Sequence, residues 1–261
     1  LNEALYNVSN LGFVPTMGSL HNGHISLIKK SLNECKKTIV SIFVNPTQFN
    51  NKNDFKKYPK NNKKDLIILK KLKVNFVYMP KIKDVYYFKR KSSIKIQKKD
   101  KVLCAKFRKG HFEGVIDVMN RLTEIIKPQK IYMGEKDFQQ LYLVKKYIHK
   151  EYNSEIISCK TIRDNNKLAF SSRNMLLNQD ELTQAAKISK KIFLLKKKLS
   201  KSRNIKKLIF NKKKELINSF NIKFDYLELR NIFSLNVSDK VKNSKLFIAY
   251  YINKVRLIDN F

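Results

Sequence analysis

The chain has 261 residues and a mass of 30.9 kDa, enough for one large domain or two modest ones with a real core. Apolar residues make up 43%, and only six Gly and five Pro are present, which excludes disordered, collagen-like and Pro-rich chains. Lys and Arg number 56 against 21 Asp and Glu, a formal charge of +35, so phosphate polymers and anionic membranes are the first partners to weigh.

Leu11 to Pro15 reads as a short buried strand, and His24 to Lys36 as a helix with Ile25, Ile28, Leu32 and Cys35 at spacings of three and four. Thr38 to Val44 is an apolar strand closed by Asn45-Pro46. Asp65 to Leu72 predicts a helix, Val74 to Met79 a strand stopped by Pro80, and Ser93 to Gln97 an alternating edge strand. Glu113 to Lys127 is helical, with Pro128 beyond its end. Lys130 to Met133 and Glu155 to Ile162 read as strands around a helix from Asp137 to His149. This alternation predicts an α/β fold, a Rossmann-like parallel sheet with helices on both faces. After about residue 175 come two basic helices, near 182–199 and 205–218, then short strands near 224–229, 246–252 and 255–258. They predict a smaller C-terminal α+β domain. The expected division is 1–165, a domain binding nucleotide and substrate, and 166–261, a smaller lid domain.

Lysine far outnumbers arginine and falls on nearly every exposed face, so the charge reads as compositional drift. A nucleic-acid partner is not expected, although Leu182 to Lys214 holds no acidic residue. Cys35, Cys104 and Cys159 are too scattered for a zinc site or a disulfide framework. Buried free thiols in a reducing, cytoplasmic compartment are expected. Ala4 to Ile28 carries no Lys, Arg, Asp or Glu, but Asn7, Asn10, Pro15 and His21 interrupt it, so no membrane span is expected. No basic segment precedes it as in a signal peptide, and the start at Leu1 fits a trimmed N-terminus.

Open α/β sheets bind ligands beyond the carboxyl ends of their strands, so the strand-to-helix turns hold the candidate residues. The first runs Met17, Gly18, Ser19, Leu20, His21, Asn22, Gly23, His24. It opens a helix, whose N-terminal N–H groups favour phosphate, and its two histidines lie three residues apart on one side. The second carries Asn45 and Gln48, amides suited to a small ligand with hydroxyls and a carboxylate. The third carries Gly134, Glu135, Lys136, Asp137 and, on the following helix, Gln140. Phe170, Ser171, Ser172 and Arg173 pair hydroxyls with a guanidinium, and Arg108 to His111 add anion-binding groups. Taken singly, each set also reads as structure: a buried His pair, an Asn-Pro turn, a capped helix start.

Together they resemble one family. His-Asn-Gly-His is similar to the His-x-Gly-His signature of the nucleotidylyltransferase superfamily. VPTMGSLHNGH, SIFVNPTQF, DFKKYPK, GHFEGV, GEKDFQQ and SSRN, in that order, resemble the pantoate–β-alanine ligase family over nearly the whole chain. The resemblance implies ATP, with Mg²⁺, activating pantoate as an acyl adenylate that β-alanine then attacks, in a homodimer. It implies His24 as the catalytic residue beside His21, and Met17 to His24 as the ATP-phosphate turn. Gln48 and Gln140 would hold pantoate, with Gln48 also near β-alanine. Gly134 and Asp137 would lie at the ribose, Lys136 at phosphate and Ile162 at adenine, with Ser171, Ser172 and Arg173 gripping phosphates. Asn45 and Arg108 rank second, and Asp65 matches an acidic position near Mg²⁺. A different adenylyltransferase of the same fold is the alternative, and the neutral amides Asn45, Gln48 and Gln140 favour pantoate over a phosphorylated acceptor. The chain departs from the family at Lys60 (usually Arg), Lys64 (usually acidic), Lys167 (usually Gly) and Asp117 (usually Thr).

Overall fold

A computed structural model describes residues 1–50, 52–87 and 95–261 of the chain. They divide into two compact units, Leu1–Lys101 with Arg108–Thr161, and Val102–Phe107 with Ile162–Phe261.

In the first unit, β1 (Leu11–Thr16), β2 (Lys37–Ile42), β3 (Phe76–Tyr78), β4 (Lys130–Gly134) and β5 (Glu155–Cys159) form one parallel sheet in the order β3-β2-β1-β4-β5. Its helices are α1 (Asn22–Glu34), α2 (Asn62–Lys71), α3 (His111–Ile126) and α4 (Phe138–Tyr147), with shorter helical turns between. The register sets Phe13 beside both Ile39 and Ile131, a fully buried row. Val14, Val40 and Tyr132 point to the opposite face, where they meet Leu27 and Ile28 of α1. Burial on both faces is what helices on both sides of a parallel sheet require.

The strands are shorter than the apolar runs predict. β5 stops at Cys159 because its partner β4 ends at Gly134, and β3 pairs only with Ile39 to Ser41. The predicted strand at Ser93 to Gln97 begins outside the described residues, and Lys95 to Gln97 form no strand. Helix α1 starts at Asn22, two residues before the expected His24, because His21 caps it. Among the described residues, no helix is long and apolar enough to cross a membrane.

In the second unit, α5 (Gln179–Leu199) and α6 (Ile205–Phe220) pack on an antiparallel sheet of β6 (Lys223–Asn231), β7 (Ser244–Ile252) and β8 (Val255–Asn260). Ile188 and Ile192 of α5, Leu216 of α6, and Leu229, Leu246 and Ile248 of the sheet make its core. The segment Val102–Phe107 belongs here through Cys104, whose Sγ lies 3.0 Å from the Tyr226 hydroxyl. Arg163 clamps Asp259 with two hydrogen bonds of 2.6 and 2.8 Å and opens a hairpin closed at Ala169.

Lys167 occupies the tip of that hairpin with φ +70°, the left-handed region that suits the glycine usual in the family. A side chain there costs ~1–2 kcal/mol, and the extra freedom of unfolded Gly returns ~0.5–1 kcal/mol of that. Lys167→Gly is therefore expected to raise Tm by roughly 1–4 °C. A fall in Tm on thermal unfolding would show that the Lys167 ammonium, 5.7 Å from the Phe193 ring, outweighs the strain.

Candidate active site

The strand order reverses direction between β1 and β4, so the loops that leave these two strands diverge and open a crevice at their carboxyl ends. The first loop is Met17 to His21 and the second begins at Glu135. The crevice thus brings together two of the four predicted turns.

The β1 loop makes two consecutive left-handed steps, Gly18 at φ +77° and Ser19 at φ +53°. Such a pair turns successive N–H groups toward one point and makes an anion nest. The anion here is internal. Asp65, buried at the start of α2, accepts from the amides of Ser19 and Leu20, both at 2.8 Å through separate oxygens. Both carboxylate oxygens of this residue, expected near Mg²⁺, thus brace the turn. A Cβ on Gly18 would sit 3.0 Å from the Asp65 carboxylate, so the brace also needs glycine.

The two histidines cap the helix that follows. His21 Nδ1 accepts from the Gly23 amide at 3.1 Å, and His24 Nδ1 accepts from the His21 amide at 3.4 Å. An accepting Nδ1 places the proton of a neutral ring on Nε2 in both residues. The rings lie 4.0 Å apart. Burial, then the nearby Lys136 ammonium, pushes His21 down to about 4, only partly offset by Asp137. Burial, then His21 and Lys136, holds His24 well below the usual imidazole range. At neutral pH the start of α1 thus presents two neutral N–H donors beside the Lys136 side chain.

The sign of the pH effect follows. Between about 4 and 6.5 the unfolded chain protonates His21 while the folded chain does not, so stability declines as pH falls through that window. NMR titration of His21 is expected to give a midpoint near 4. A midpoint near 6.5 would contradict the neutral-donor site.

The Gln48 amide is held by one contact at each end. Asn45 caps the turn Pro46–Gln48 and donates to Gln48 Oε1 at 3.2 Å and to the Gly114 carbonyl at 3.1 Å. Its oxygen accepts from the Thr47 amide and hydroxyl and from Tyr86 at 2.7 Å. Asn45, expected as a second-rank ligand group, thus makes internal bonds at both ends of its amide and orients Gln48. Gln48 Nε2 reaches Met17 Sδ at 3.1 Å, which joins this turn to the β1 loop. Asp117, which departs from the family, pairs with Arg121, and Arg121 stacks over Tyr86 at 4.6 Å.

Gln140 lies half-buried in the first turn of α4, and its neighbour Gln139 is spent on the Asp100 carbonyl. Lys136 and Asp137 pair at 3.6 Å, and Glu135 accepts from Ser158. Ile162, Phe170, Ser171, Ser172 and Arg173 belong to the second unit, where Ser171 Oγ accepts from the Arg173 amide. His111, read from sequence as an anion-binding group, is buried and bonded to the Gln48 carbonyl. Its place, opening a helix three residues before Gly114, gave no sign in the sequence of this bond to Gln48.

A five-stranded parallel sheet with a histidine-capped helix at its switch point puts the chain in the doubly wound α/β class. Residues 2–261 match the family model described as pantoate-beta-alanine ligase, and the chain belongs to that family. It is 40% identical over 269 residues to a pantothenate synthetase of Flavobacterium psychrophilum, covering 100% of this chain and 94% of the relative. A pantothenate synthetase of Francisella tularensis subsp. novicida is also 40% identical, over 100% of this chain and 92% of its own. The crystal structure of pantothenate synthetase from Thermus thermophilus superposes with a TM-score of 0.92 at 27% identity, covering 99% and 96% of the two chains. The ligase from Francisella tularensis complexed with beta-gamma ATP and beta-alanine superposes at 0.79 and 39% identity, covering 97% and 89%.

Proposed function

We propose that the chain joins pantoate to β-alanine in two steps at the β1–β4 crevice. The pantoate carboxylate attacks the α-phosphorus of ATP, and pyrophosphate leaves. The β-alanine amine then attacks the acyl carbon, forming the amide of pantothenate and releasing AMP. No protein nucleophile is needed, because the substrate carboxylate is one. The protein has to orient the reactants and stabilise charge on the departing phosphates. The observation that carries this reading is the pair of neutral imidazoles, His21 and His24, beside Lys136 at the opening of α1. They donate to phosphate as neutral N–H groups, and Lys136 adds the positive charge. Gln48 keeps a second N–H and a second lone pair for the hydroxyl and carboxylate of pantoate, and Gln140 joins it. Gly134 and Asp137 take the ribose and Ile162 the adenine, while Phe170, Ser171, Ser172 and Arg173 add phosphate contacts by likeness to the family motif.

Mg²⁺ is implied by the resemblance. Among the described residues no group of three or more His, Cys, Asp or Glu converges, and Asp65 is turned to the β1 loop. The described residues do not build a cage for the ion by themselves, and none of the steps above passes through it. A homodimer belongs to the same proposal by likeness to the family alone.

Isotope transfer tests the first step. Pantoate labelled with ¹⁸O in its carboxylate is expected to leave one label in AMP. Label in pyrophosphate, or none in AMP, would overturn the adenylate route.

A further inference from the structure

We propose that His111 is a positioning residue for pantoate, a neutral imidazole that pins the main chain of Gln48 and so sets the pose of its amide. The inference rests on the reading of Gln48 as a pantoate-binding group.

His111 Nδ1 lies 2.7 Å from the Gln48 carbonyl oxygen, which can only accept, so Nδ1 carries the proton. Nε2 lies 2.9 Å from Arg108 Nη1, which can only donate, so Nε2 accepts. The two partners together fix one tautomer and a neutral ring. His111 is 6% exposed and opens α3 behind a left-handed Gly110, which places the ring rigidly.

A second contact from the same turn of α3 acts on the other peptide of Gln48, the one that precedes it. A Cβ on Gly114 would meet the Thr47 carbonyl at 2.5 Å and the Gln48 amide at 2.8 Å, so the helix backbone presses directly on the Thr47–Gln48 link. The Gln48 side chain is oriented separately by Asn45. His111 therefore controls the backbone from which the Gln48 amide projects, and Arg108 acts through His111. A pin on this backbone changes the pocket for pantoate and leaves the histidine pair at α1 untouched.

Steady-state kinetics of full-length variants tests this. His111→Leu keeps bulk and removes the donor. It is expected to raise the pantoate KM about tenfold and leave the ATP KM within about twofold, the loss of one net hydrogen bond being felt at Gln48 alone. His111→Asn returns an N–H near the Nδ1 position and is expected to recover most of the loss. In a Gln48→Ala background, His111→Leu is expected to add nothing to the pantoate KM. Equal rises in both KM values, or lower Tm with both unchanged, would make His111 a purely structural residue and overturn the proposal. An unchanged pantoate KM in Gln48→Ala would instead sink the reading of Gln48, and the proposal with it. Should His111→Leu fail to fold, Arg108→Leu, which frees the tautomer, is expected to raise the pantoate KM about threefold, and no change there would overturn the pin.

Discussion

Replacing His24 with Ala is expected to lower kcat for pantothenate formation by about 10²–10³, the effect of removing one preorganised donor from a developing negative charge. The ring proton sits on Nε2 because Nδ1 is engaged by the His21 amide. The variant should keep its fold, since the lost cap is a long contact of 3.4 Å worth ~1 kcal/mol. His24→Gln, which carries an amide N–H, is expected to retain more activity than His24→Ala. Equal activity of His24→Ala and the intact chain would remove the imidazole from the chemistry.

Replacing Asp65 with Ala is the second large effect, and it separates two roles. As a brace, Asp65 satisfies two buried amides, and each orphaned amide costs ~1–3 kcal/mol. A loss of about 3 kcal/mol would lower Tm by roughly 6–12 °C. The left-handed pair Gly18-Ser19 would relax with it, so the ATP KM should rise in the same variant. Asp65→Asn should not rescue, because its NH₂ group faces an N–H. If Asp65 instead served only as a ligand to Mg²⁺, Asp65→Ala would leave Tm unchanged and raise the Mg²⁺ concentration that gives half-maximal activity.

The order of elements was legible because both faces of the sheet are buried. Leu11 to Pro15, Ile39 to Val44 and Ile131 to Met133 are apolar but for Ser41, and no solvent-facing alternation blurs them. The turns were legible because Gly18, Gly23 and Gly134 punctuate them beside polar side chains. Contacts across long stretches of chain were not. Asp65 reaches Ser19 over 46 residues and His111 reaches Gln48 over 63, and no spacing rule couples such positions. The internal bonds of Asn45 and Asp65 were not legible either, because a polar side chain in a turn looks the same whether it faces a substrate or a backbone amide. The segment Val102–Phe107 likewise carries no mark of joining the second unit, since Cys104 and Phe107 find Tyr226 only in the folded chain.

The most direct test of the account is the release of AMP from ATP, with pantoate and β-alanine supplied singly and together. The account predicts equal amounts of AMP and pantothenate, formed only when both substrates are present. AMP release that ignores pantoate, or no turnover by the folded chain with all substrates at saturation, would contradict it.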